Sequence, residues 1–121
     1  MTTPRLFTLF AGLAGLCGIM LAAASTHVLG GDNAMIAANF LLFHAVALIG
    51  LAALIAHGVA IHSTTARIAG YVLVIGAVLF CGDLALRAIY AIRIAPFIAP
   101  AGGITLMAGW VLIAIAALRR P

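Results

Sequence analysis

Polar and turn-forming residues are sparse along this chain, and they divide it into four apolar runs at about 6–29, 35–61, 68–92 and 98–118. Each run reaches the roughly 20 residues that an α-helix, rising about 1.5 Å per residue, needs to cross a hydrocarbon core of about 30 Å. The breaks between them, Gly30 to Asn33, His62 to Arg67 and Pro96 to Pro100, are short. Neighbouring helices therefore run antiparallel. The pattern predicts an all-α, up-down-up-down four-helix membrane bundle, with residues 1–121 forming one transmembrane domain.

Composition agrees with the pattern. The chain is 67% hydrophobic and 7% charged, with a mean hydropathy of +1.35, far from the roughly half-apolar make-up of a water-soluble domain. Its six basic residues are all Arg and its only acids are Asp32 and Asp83, so the net charge of +4 comes from scattered arginines. Nucleic-acid binding needs a clustered basic face, which is lacking. Cys17 and Cys81 lie inside apolar runs, where a thiol behaves as a small hydrophobe. Arg5, the following apolar stretch and Ala22 to Ala24 resemble a cleavable leader, but the stretch is longer than a leader's apolar segment and is expected to persist as the first helix.

Arginine placement sets an expected orientation. In the alternating topology Arg5, Arg67, Arg119 and Arg120 share one side, whereas Arg93, opposed by Asp32, lies on the other with Arg87 just inside the membrane. The excess of positive charge marks the cytoplasmic side and puts both termini there. A weak parallel two-helix repeat is visible at an offset of 64 residues, pairing Gly12 with Gly76 and Cys17-Gly18 with Cys81-Gly82. Small residues recur as Gly12, Gly15 and Gly18 in the first helix and as Ala101, Thr105 and Gly109 in the fourth. Such stripes let helix backbones approach closely inside lipid.

The chemistry is concentrated in "LFCGDLALRAIYAIR", residues 79–93. Asp83 lies about 15 Å below Arg93, near the bilayer midplane, where an unpaired charge costs about 2.5–3.5 kcal/mol or more. Arg87 follows at i+4, the favourable acid-first order, so the two are expected to neutralise one another. Arg87 could instead snorkel outward and leave Asp83 protonated or seeking another partner. His44 lies about 16 Å below Asn33, close to the depth of Asp83. With His27 and Thr105 on the same half of the bundle, these residues outline a candidate polar pocket of His27, His44, Asp83, Arg87 and Thr105. The blander account of His44 is a buried imidazole bonded to a neighbouring helix.

The stretches "STHVL" (25–29), "FHAVAL" (43–48), "LFCGDL" (79–84) and "APAGGITLMAGW" (99–110) resemble, in order and spacing, the YgdD-like family, domain of unknown function 423, which includes the eukaryotic transmembrane protein 256. The family signature looks like Ala-His-x-Leu, Phe-His, Leu-Phe-Ser-Gly-Ser-Leu, and Pro-x-Gly-Gly followed by Ala-Gly-Trp. His27, His44, Gly82, Pro100, Gly102, Gly103, Gly109 and Trp110 fit it. The resemblance implies a small four-helix protein of an inner membrane, bacterial in the expected case, or of an organellar membrane, with no established role; Gly102, Gly103, Gly109 and Trp110 are expected at helix contacts. Cys81-Gly82-Asp83 stands where the family tends to Ser-Gly-Ser, and Phe40-Leu41 where it often has Tyr-Gln. Asp83 is thus a departure from the motif.

No cofactor is expected. His44 and His57 are spaced as for two stacked haems, but no second histidine pair faces them, and a metal held by His27, His44 and Asp83 requires side chains from different depths. His57 and His62 suit the membrane interface. Gly102-Gly103 after Pro100 could offer amides to an anion but more simply shapes the entry to the fourth helix. A nucleophile with a base is lacking, so the chain does not read as an enzyme. The leading function is an accessory or structural subunit, in a homo-oligomer or a larger membrane complex. The alternative is a unit that binds or transports a small molecule, ion or lipid through the polar pocket.

Overall fold

A computed structural model describes residues 1–58 and 61–119. It consists of α1 (Thr3–His27), α2 (Asn33–His57), α3 (Ser63–Tyr90) and α4 (Ile98–Leu118). All four are long and apolar enough to cross a membrane; the shortest, 21 residues, extends about 32 Å. The protein is a four-helix membrane bundle.

The helix ends differ from the apolar runs for local reasons. α1 starts at Thr3, with Pro4 in its first turn, where a missing N–H costs nothing. α3 starts at Ser63, five residues before the run does, because His62 caps it: the ring Nδ1 accepts the backbone N–H of Thr65. α2 stops at His57 because Gly58 takes a left-handed conformation (φ 64°) and returns its N–H to the carbonyl of Leu54. The predicted end of the second run at residue 61 therefore passes through 59 and 60, which lie outside the described residues. Ala91, also left-handed (φ 55°), ends α3 at Tyr90.

The helices form two antiparallel hairpins. α1 packs along α2 and α3 along α4; the hairpins join mainly through α2 and α3, and among the described residues α1 and α4 do not meet. At the α3–α4 seam three glycines are closely covered, two of them by backbone. A Cβ on Gly76 would lie 2.9 Å from the Leu106 nitrogen, one on Gly102 2.5 Å from the Phe80 nitrogen, and one on Gly109 2.5 Å from Leu73 Cδ2. The buried residues of α4 (Ala99, Gly102, Leu106, Gly109 and Ala116) follow the three-four spacing of a left-handed helix pair. Phe7 of α1 is fully buried against Gly70 of α3 and meets Tyr71 edge-on.

Two small-residue stripes read from the sequence are corrected. Of Gly12, Gly15 and Gly18 only Gly18 is at a seam, against Leu42 and the Ala38 carbonyl; nothing lies near Gly12 or Gly15. In α4, Ala101 is exposed and Gly103 makes only ordinary contact, so the close seam is Gly102, Leu106 and Gly109 rather than Ala101, Thr105 and Gly109. In lipid the outside of a helix is as apolar as the inside, so composition does not tell which small residues face protein. The same contrast breaks the residue-level repeat, because exposed Gly12 and buried Gly76 are not equivalent.

Candidate functional site

Two separate polar arrangements lie inside the bundle. The first is on α3, where Arg87 Nη2 donates to Asp83 Oδ2 one turn away. Asp83 is 1% exposed although ionisable, and the pairing supplies the counter-charge that such burial demands. The approaches of Leu73 to Gly109, Gly76 to Leu106 and Phe80 to Gly102 define an antiparallel register. One turn further, it sets Asp83 level with Ala99 in the first turn of α4, where the helix macrodipole favours an anion. Asp83 Oδ1 and Arg87 Nε are buried without a hydrogen-bond partner.

The second arrangement spans α2 and α4. His44 is 4% exposed. Its Nδ1 lies 2.7 Å from the Phe40 carbonyl, one turn back, and its Nε2 accepts the Trp110 indole N–H at 3.3 Å. A carbonyl only accepts and an indole only donates, so Nδ1 carries the proton and the imidazole is neutral. Phe40 stacks on His44 (5.9 Å, 23°) and packs against Phe80 (4.7 Å). Trp110, His44, Phe40 and Phe80 thus form a ladder of side chains that ties α4, α2 and α3 together over about 12 Å of the bundle.

The five residues of the predicted pocket do not come together. No hydrogen bond joins His44 to Asp83. Thr105 Oγ1 donates to the Ala101 carbonyl of its own helix, and His27 is exposed at the end of α1. Depth counted from the helix ends grouped them, but the helix pairing sets them apart: Asp83 is level with Ala99, whereas His44 bonds Trp110, about 16 Å further along α4. Sequence reasoning missed Trp110 as the partner of His44, and Phe40 as the ring between His44 and Phe80. The usable signal was the indole N–H itself, which seeks an acceptor inside lipid.

A cavity of about 270 Å³ opens between α1, α2 and α3, and its lining includes Phe10, Ala14, Cys17, Leu41, Ala77 and Cys81. It is apolar, and none of the five pocket residues lines it. Among the described residues no three His, Cys, Asp or Glu side chains are grouped to hold a metal ion. At the end of the bundle carrying the α3 N-terminus, the His62 N–H bonds the Ala116 carbonyl at 2.9 Å. Arg119 Nη1 donates to Thr65 Oγ1 there at 3.1 Å.

Four helices, each long and apolar enough to span, define a small multi-pass helical membrane protein. The chain belongs to the family described as "Protein of unknown function (DUF423)", whose profile matches residues 21–103. It is 29% identical over 124 residues to the UPF0382 inner membrane protein YgdD of Escherichia coli K12, covering 97% of this chain and 92% of that protein. It is 30% identical to the UPF0382 membrane protein SH2409 of Staphylococcus haemolyticus, covering 95% of this chain and 97% of the relative. No solved structure matches the chain.

Proposed function

We propose that this protein is a structural or accessory subunit of the inner membrane, docking on itself or on a larger membrane complex, with both termini in the cytoplasm. The observation that carries the reading is the use made of the intramembrane polar groups. Both ring nitrogens of His44 are bonded inside the bundle, Asp83 is paired with Arg87, and the cavity is lined by apolar groups instead. A carrier of polar solutes needs such groups facing its pathway. The cytoplasmic assignment of the termini rests on the arginines at that end, of which Arg120 lies outside the described residues.

A second reading, binding or transport of a small molecule, ion or lipid, draws on Asp83 Oδ1 and Arg87 Nε, which lack partners. Gentle purification from the membrane with mass spectrometry of everything retained separates the two. A stoichiometric protein partner or a defined homo-oligomer supports the subunit reading. A monomer holding a specific polar small molecule overturns it.

A further inference from the structure

We propose that the end of the bundle formed by the start of α1, the end of α2, the start of α3 and the end of α4 binds anionic phospholipid headgroups, with Arg119 as a pre-ordered phosphate seat. Arg5, Arg67 and Arg119 are all exposed at this end. Among the described residues no acidic side chain pairs with them. Of the chain's two acids, Asp83 is buried and paired with Arg87, and Asp32 lies at the opposite end, the end of Arg93. The bundle thus presents uncompensated positive charge to one headgroup layer and a balanced pair to the other.

Arg119 differs from the other two arginines in being held. Its Nη1 bonds Thr65 Oγ1, and Thr65 is 5% exposed. The Thr65 hydroxyl is itself fixed, because His62 Nδ1 already accepts the Thr65 N–H and so takes the hydroxyl proton as well, at 2.9 Å. One guanidinium N–H is used and the remaining donors stay available in a fixed plane, so part of the ordering cost of holding a phosphate is already met. The matching ligand chemistry is a phosphodiester with net negative charge, which an anionic phospholipid presents at this depth. A basic residue near such a surface contributes about fivefold in binding.

The test is native mass spectrometry of the intact chain in micelles doped with phosphatidylglycerol or phosphatidylcholine. Phosphatidylglycerol is expected to be retained over phosphatidylcholine, with about fivefold less retention in Arg119→Gln. Arg93→Gln, at the opposite end, is expected to leave retention unchanged. Circular dichroism establishes that each variant is folded; should Arg119→Gln fail to fold, Arg67→Gln carries the same expectation. Equal retention of the two lipids by the unaltered chain overturns the proposal, as does an equal loss in Arg93→Gln.

Discussion

Trp110 donates its indole N–H to Nε2 of His44 across 66 positions of sequence. α2 and α4 do not touch through their backbones among the described residues, so this side-chain bond is what fastens α4 to the far hairpin at that level. Trp110 is 49% exposed and His44 is buried, so the indole covers the imidazole on the lipid side.

Removing the donor should loosen this attachment without abolishing the fold. Trp110→Phe is expected to cost about 0.6–1.7 kcal/mol, the range for interhelical hydrogen bonds in lipid. His44→Gln, which keeps an acceptor, should cost less than His44→Leu. Unfolding in graded detergent mixtures measures both, and a Trp110→Phe, His44→Leu double variant should cost less than the sum of the single changes.

The Asp83–Arg87 pair should be far more sensitive to losing one member than both. Arg87→Leu leaves a buried carboxylate without its counter-charge and is expected to destabilise by about 3–5 kcal/mol. The double variant Asp83→Leu, Arg87→Leu should recover much of that loss. A double variant as unstable as Arg87→Leu alone would show that Asp83 matters for more than neutralising Arg87.

Glycine substitutions should separate the protein-facing from the lipid-facing small residues. Gly102→Ala drives a methyl into the backbone of Phe80, which has no rotamer to yield, and should cost about 1–3 kcal/mol. Gly12→Ala meets open space and should be neutral or slightly stabilising through helix propensity. Thermal unfolding of the two variants side by side provides the comparison.

Thr65→Val should weaken the junction of α3 with the end of α4. It removes the acceptor of Arg119 and the hydroxyl bonded to His62 while keeping shape, for an expected loss of about 1 kcal/mol. Faster amide exchange at His62, whose N–H bonds Ala116, should accompany it.

The chain by itself determined that four helices cross a membrane, roughly where each begins and ends, and that Asp83 and Arg87 stand one turn apart. These are properties of local spacing and hydropathy, which lipid reads segment by segment. The tertiary structure decided which faces meet. Gly18 and Gly102 press on neighbours while Gly12 and Ala101 face outward, though all four look alike in an apolar sequence. It also decided that His44 bonds Trp110 while Asp83 stands level with the start of α4, so that the depth counted from the helix ends did not make a shared pocket. The physical reason is that lipid is as apolar as the side chains it bathes. Interior and exterior carry no contrast in hydrophobicity, and only close backbone approach and hydrogen bonds between distant residues distinguish them.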